Sequence, residues 1–322
     1  MKHILIASSR FDCFTTKLVK RLLVKKGYTV TIFEADRVAQ GLDQFSISIT
    51  KTGKIEVMYK GVIHDLSEIT AAWYRRPNIF TDNNEYSAEE ESLATQYRGI
   101  QRYLWDSIPE KVWLNSYRNI NNANSKLEQL LVAQKLGFTI PQTIIANKWE
   151  KLKELSGEKI ILKLIDGLIY TREGTKFLYT KIVPKTNSSL HLETLPYPGI
   201  WQPYIEKKRE WRITVVGKQV FSTAVYTHAL AKDDWRVHQF KKDHVQFKAE
   251  TFPITLQKKC LQYLKHYRLR FGAFDFIETP EGEIVFLELN PNGQYGWLED
   301  ELKMPISQAI AAELENIAEG NK

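Results

Sequence analysis

Cysteine is nearly missing from this chain of 322 residues, which has two, Cys13 and Cys260, far apart and without metal-ligand spacing. That excludes a disulfide framework and a cysteine-held metal site, and it leads to an expectation of free thiols in a reducing cytoplasm. Long apolar runs are missing too. The first, at residues 4–7, is too short for the core of a signal peptide, and no run approaches the length of a membrane helix, so no membrane partner is expected. The loop Ser8-Ser9-Arg10-Phe11-Asp12 lacks the GxGxxG pattern, which leaves a dinucleotide fold poorly supported. Internal repeats, low-complexity segments and long linkers are absent. So is a dense Lys/Arg run interleaved with aromatics, and no nucleic-acid partner is expected.

What remains is ordinary globular composition, 43% hydrophobic and 26% charged, long enough for two or three packed units. A net charge of +7 favours an anionic partner, whether nucleotide, acidic peptide or nucleic acid, and cannot choose among them.

The most informative stretch is FDFIETPEGEIVFLELNPN at 274–292. Two apolar runs flank Pro280-Glu281-Gly282-Glu283, which reads as a β-hairpin. A two-residue loop at Glu281-Gly282 sets Asp275 directly opposite Glu288, and alternation puts Asn290 on the face of Glu288. Leu287 and Leu289 then fill the opposite face. Two carboxylates facing each other on an apolar ladder repel, so a cation between them is expected. Two carboxylates and an amide oxygen suit Mg²⁺, which leaves other positions for water and nucleotide phosphates. A solvated hairpin with its acids in water is the alternative. A three-residue loop would slip the register and put the acids on different faces.

Residues 1 to about 115 open as β-α-β, with strands at 3–7 and 29–34 around a helix at 15–26. A polar-faced hairpin turns at Thr52-Gly53-Lys54, and a helix follows over 84–106. Arg75 and Arg76 sit beside Trp73 and Tyr74. They either grip a carboxylate or phosphate, or stack on the rings and pair within the domain. A second unit opens with capping residues at 121–125 and a helix whose inward face is read as Leu127, Leu130, Leu131 and Leu136. Lys126, in its first turn, opposes the helix dipole, so it points into water or holds an anion. Lys163 lies in the apolar run KIILKLI; a buried ammonium there needs a negative partner, unless it snorkels outward. Residues 166–181 look like two strands around Arg172-Glu173-Gly174-Thr175, a weakly supported flap over phosphates.

In the last third, strands at 209–216 and 219–226 join at Gly217-Lys218. Glu210, Arg212 and Thr214 share one face, which makes Arg212 a candidate for an anion in a cleft, and Arg236 in the following polar loop is another. A surface salt bridge is the bland alternative for either. His238 stands alone and reads as structural.

The ordered set of a lysine on a helix, a lysine on a strand, a glycine-bearing flap, Gln-x-Tyr-Ile-Glu, an arginine strand, an aspartate strand and Glu-x-Asn resembles the ATP-grasp superfamily. Within it, AWYRRP at 72–77, NSKLEQLLVAQKLGFTIPQT at 124–143, KKREWRITVVG at 207–217, DWR at 234–236 and ELNPNGQYGWLE at 288–299 resemble the graspetide (microviridin-type) peptide ligases. This resemblance implies a mixed α+β and α/β ATP-grasp fold with an N-terminal pre-ATP-grasp domain at 1–115. A central subdomain at 116–196 and a C-terminal subdomain at 197–322 would hold ATP between them. It implies that Lys126 and Lys163 contact nucleotide phosphates, that Gln202, Tyr204, Ile205 and Glu206 line adenine and ribose, and that Asp275, Glu288 and Asn290 bind Mg²⁺. Arg212 and Arg236 match arginines facing phosphate or the acceptor carboxylate. The implied substrate is a ribosomal precursor peptide with a leader and an acidic core, acted on by a homodimer. A ligase acting on small metabolites, or adding amino acids to a protein tail, shares every nucleotide-site residue and is the alternative.

Overall fold

The structure, a computed structural model, describes residues 2–78, 88–163, 168–171, 174–177, 181–185, 198–227 and 244–320. It is a mixed helix-and-sheet protein, and among the described residues the strands form five sheets.

The chain opens with the strand His3–Ser8, the helix Cys13–Lys25 and the strand Thr29–Glu34; Ile69–Tyr74 pairs in parallel on the other edge of His3–Ser8. Parallel strands covered on both faces carry apolar side chains on both. Here Ile4, Ile6 and Trp73 face the helices Cys13–Lys25 and Ile306–Glu319, while Leu5, Ala7 and Phe33 face the other way. That second face meets the antiparallel strands Phe45–Ile49, Ile55–Tyr59 and Val62–Asp65 and the end of the helix Ala88–Asp106. Residues 84–87, expected as the start of that helix, lie outside the described residues. The C-terminal helix Ile306–Glu319 also buries Val216 and Phe271, so the first and last parts of the chain share one core.

A small apolar cavity between the parallel sheet and the antiparallel strands has His3 and His64 on its wall, ring centroids 5.2 Å apart. Burial, and for His3 also the neighbouring His64, push both imidazoles below the ordinary 6.5, although Glu68 works the other way on His3. The unfolded chain therefore binds protons first as the pH falls through 6.5, and stability must fall with it. We expect the melting temperature to drop between about pH 6.5 and 5, less so in the double variant H3N/H64Q. An unchanged slope in that variant would remove the histidines as the cause.

In the second unit, a helix unforeseen in the sequence, Tyr117–Ala123, precedes Lys126–Lys135; Ser116 caps it by accepting from Asn119 N at 3.2 Å. Lys126–Lys135 is rotated from the expected orientation. Gln129, Leu130, Val132 and Ala133 are buried, whereas Leu127 and Leu131 are about half exposed. The reason lies in Gln129, which the fold needs inside.

Two antiparallel sheets complete the fold. One has the strand order Lys181–Pro184, Lys159–Lys163, Gly199–Pro203, Ile144–Ala146. The other has the order Val245–Ala249, Gln219–Thr227, Arg209–Val216, Phe271–Glu278, Ile284–Asn290. Trp211, Ile213, Phe274, Phe276, Phe286 and Leu289 bury one face of the larger sheet against the helices Ile254–His266 and Lys126–Lys135. The opposite face carries Arg212, Asp275 and Glu288.

Candidate active site

The acidic hairpin reaches its expected pairing by an unexpected route. Glu278 pairs with Ile284 and Thr279 N donates to Glu283 O at 2.9 Å, so the loop is Pro280-Glu281-Gly282, with Gly282 at φ +90. The expected two-residue turn is wrong, and this loop alone would separate the acids. A bulge corrects it: Phe276 pairs with Phe286 but Asp275 with Glu288, which leaves Leu287 as the extra residue. Strict alternation cannot bury both Phe286 and Leu289, three positions apart; the bulge puts both in the core and Glu288 opposite Asp275. Leu287, expected beside Leu289, is only half-buried.

Around that pair, Asn290 Nδ2 donates to Asp275 Oδ2 at 2.9 Å and to Glu288 Oε1 at 3.3 Å. Arg212, opposite Asp275 on the next strand, donates from Nη1 to both its carboxylate oxygens at 2.8 Å and from Nη2 to Gln294 O at 3.1 Å. Its Nε is buried without a hydrogen-bond partner. Gly293 is needed beneath this fork, because a Cβ there would stand 2.6 Å from that of Ala273 and 2.8 Å from Arg212 Nη2. Among the described residues no three His, Cys, Asp or Glu side chains cluster as metal ligands. The Asp275, Glu288 and Asn290 set, two carboxylates and an amide, nonetheless has the oxygens a hard cation takes. The two acids already draw the amide's hydrogens between them, and a half-turn of that amide offers its oxygen instead.

Three buried side chains hold this strand in place, and sequence reasoning passed over two of them, Gln129 and Asn115. Gln129 accepts from Leu289 N at 2.9 Å and donates to Leu289 O at 2.8 Å and Ala123 O at 2.6 Å, acting as a neighbouring strand would. Lys126, three residues earlier, lies on the same side of that helix, so Gln129 ties the lysine's helix to the acidic strand. Asn115 donates to Phe271 O and Pro291 O, both at 2.8 Å, and accepts from Arg270 N at 2.8 Å. Arg75, 1% exposed, donates to Asn292 O at 3.2 Å, Gly293 O at 2.9 Å and Asp12 Oδ1 at 3.0 Å, and stacks over Tyr295. Of the two roles open to Arg75 in the sequence, the structure has the internal one. Gln129 had a signal, a polar residue inside the apolar period of its helix; the partners of all three are distant in sequence.

Replacing Gln129 by Leu strands three backbone groups in the core, at a cost of about 3 kcal/mol. Urea unfolding checks this, and a loss below about 1 kcal/mol would show that water or repacking replaces the amide.

The smaller sheet supplies the other candidates. Lys163 pairs with Ile200 and Ile161 with Gln202, which places Lys163 and Gln202 on one face; Ile160, Leu162, Val183 and Trp201 pack on the other. Lys163 ends its strand and is half-buried rather than enclosed in an apolar run. Gln202 is 3% exposed and donates to Thr143 Oγ1 at 2.9 Å, but its Oε1 is buried with no donor. An orphaned acceptor of this kind fits an amine-bearing ligand such as adenine. Tyr204, Ile205 and Glu206 cross to the larger sheet; Tyr204 N donates to Lys159 O at 2.9 Å, and Glu206 is exposed. Just beyond, Lys207 and Glu210 form a largely buried ion pair at 2.5 Å, on the sheet face of Arg212. At the sheet's far corner burial pushes the Glu278 carboxyl up, but Arg209, Trp211 and Lys208 donate to it and carry it below its ordinary value. Strands Leu168–Thr171 and Gly174–Phe177 pair as the flap requires. Arg172, Glu173, Arg236 and His238 lie outside the described residues.

With this geometry in place, comparison with known proteins becomes decisive. The macrocyclase MdnC from Microcystis aeruginosa MRC, crystallised with precursor peptide MdnA, is 30% identical, with a TM-score of 0.82 over 98% of this chain and 100% of that one. This chain belongs to the ATP-grasp peptide ligases. A family profile described as MvdD pre-ATP grasp domain matches residues 3–121. A RiPP-associated ATP-grasp ligase from Chryseobacterium gregarium, in complex with ADP and a leader and core peptide, is 28% identical over 98% of this chain and 97% of that one, with a TM-score of 0.84. The macrocyclase MdnB from Microcystis aeruginosa MRC is also 28% identical, over 98% and 99%, with a TM-score of 0.76. No curated protein sequence matches the chain. Among the described residues of this ATP-grasp ligase, no helix is long and apolar enough to cross a membrane, and Cys13 and Cys260 are free.

Proposed function

We propose that this ATP-grasp ligase activates Asp or Glu side chains of a ribosomal precursor peptide as acyl phosphates and joins them to Ser, Thr or Lys side chains, closing ω-ester or ω-amide rings. The observation that carries the reading is the Arg212–Asp275–Glu288–Asn290 cluster, tied through Gln129 to the helix of Lys126. It sits in a chain that matches a macrocyclase crystallised with its precursor peptide along its whole length.

Nucleotide lies between the 116–196 and 197–322 units. Gln202 Oε1 accepts from the adenine amine, Tyr204 and Ile205 line the base, and Glu206 reaches the ribose. Lys126 and Lys163 neutralise phosphate charge. Asp275, Glu288 and Asn290 would hold Mg²⁺, which when bound would supply positive charge to the phosphoryl transfer. Arg212 holds Asp275 in line, and its guanidinium, together with Arg236, would face phosphate or the acceptor carboxylate.

A peptide carboxylate oxygen attacks the γ-phosphorus, the bond to the β-phosphate breaks and ADP leaves. A hydroxyl or amine of the same peptide then attacks the acyl carbon, phosphate leaves and the nucleophile's proton passes to solvent. The substrate is a precursor with a leader and an acidic core, which suits a protein of net charge +7. The working form is a cytoplasmic homodimer, which light scattering checks.

Mass spectrometry of precursor incubated with the protein and ATP tests the reading. We expect loss of one water per link, only with ATP and Mg²⁺, and mild base distinguishes ester from amide by reopening esters alone. ATP consumption supported by free amino acids and not by peptide would sink it.

A further inference from the structure

The strand His3–Ser8 lies between Thr29–Glu34 and Ile69–Tyr74, so the chain leaves it to one side and returns on the other. Open parallel sheets hold ligands in the crevice that forms at the carboxyl ends of such strands. Here the loop at residues 9–12 and Arg75-Arg76 follow the carboxyl ends of His3–Ser8 and Ile69–Tyr74. Arg76 takes a left-handed conformation, φ +52, rare for a side chain of this size. Ser9 Oγ, donating to Arg76 O at 3.1 Å, and Asn78 N, donating to the same oxygen at 2.7 Å, hold it there.

That reversal sends adjacent arginines to opposite fates. Arg75 points inward to its clamp on Asn292 and Gly293, and the Arg76 side chain remains 31% exposed at the rim. Both address Asp12, which is 8% exposed: Arg75 at 3.0 Å from Oδ1, Arg76 at 3.7 Å from Oδ2, an oxygen with no hydrogen-bond partner. One carboxylate thus serves two guanidiniums, and the uncompensated positive charge lies on the outer one. Phe11 and Phe14, on either side of Asp12, are 48% and 65% exposed. Thr15 Cγ2 lies 3.1 Å from where a Cβ on Gly296 would stand, so the helix that carries Phe14 packs closely on the start of the helix Gly296–Leu302.

We propose that this crevice docks a carboxylate-bearing stretch of the peptide substrate, Arg76 taking an Asp or Glu side chain while Phe11 and Phe14 flank apolar neighbours. The inference rests on the ligase reading for its partner. The occupant's chemistry follows from an exposed guanidinium in local excess beside two exposed rings, a pattern that fits acidic and apolar side chains in alternation.

The test is fluorescence anisotropy with the full-length protein, without nucleotide, using a fluorescein-labelled peptide of Thr, Phe and Glu and its counterpart with Gln for Glu. Arg76→Gln and Phe14→Ser should each weaken the Glu peptide about tenfold. The Gln peptide should bind wild type as weakly as the Glu peptide binds R76Q. Equal binding of both peptides to wild type and variants overturns the proposal, as does displacement by an oligothymidylate of equal charge. ADP binding, measured by calorimetry on the same proteins, should be unchanged in R76Q. Its absence in wild type would count against the ligase reading and leave the peptide result standing.

Discussion

Replacing Glu288 by Gln is expected to lower product formation about 100- to 1,000-fold without loss of stability, because the two effects have different origins. Glu288 stands opposite Asp275 across the ladder, and Arg212 donates to Asp275 from the next strand. Removing the second charge relieves repulsion between facing acids, worth a few tenths of a kcal/mol to about 1 kcal/mol, so the melting temperature should hold or rise. The same change takes away a carboxylate oxygen proposed to bind Mg²⁺, and with it the charge that stabilises phosphoryl transfer. ADP release with precursor present, titrated against Mg²⁺, reads the first effect; calorimetry reads the second. A destabilised E288Q would mean that Glu288 holds the fold, and an active one that the cation lies elsewhere.

Arg75→Met is expected to cost about 3 kcal/mol and to depress catalysis although Arg75 touches no proposed ligand. Its loss leaves Asp12 buried with Arg76 at 3.7 Å as its nearest cation, and leaves Asn292 O and Gly293 O without their donor. Breaking a buried pair from one side is costly because the remaining charge stays desolvated. Burial already works against the guanidinium's own charge, with Asp12 in its favour. The double variant D12L/R75M removes the stranded carboxylate and should regain part of the stability. Activity should stay low, since the loop after Asn290 has still lost its clamp, and the deficit should appear as a raised Mg²⁺ requirement. Recovery of activity along with stability in the double variant would assign Arg75 a purely structural part.

Local pattern carried much of the molecule into view. The β-α-β opening was legible because Ile4, Ile6, Val19 and Leu23 fall at strand and helix periods and bury together. The strand holding Glu210, Arg212 and Thr214 was legible by simple alternation, with Trp211, Ile213 and Val215 in the core. The hairpin shows where local reading stops. Its turn was misread by one residue, and a bulge at Leu287, visible in the sequence only as apolar residues at odd spacing, offset the error. On the helix Lys126–Lys135, Leu127 and Leu131 matched the expected inward period as well as the residues that are buried. The choice fell to Gln129, whose partners on Leu289 lie far along the chain.

By itself, then, the sequence determined which residues carry charge to a common face of the larger sheet, because alternation in a strand is a local rule. Tertiary structure alone decided how that face is held. Gln129, Asn115 and Arg75 each satisfy backbone groups on the Phe271–Gln294 segment from more than 150 residues away in the chain. A buried hydrogen bond depends on which groups meet once water is gone, and no neighbour in sequence specifies that meeting.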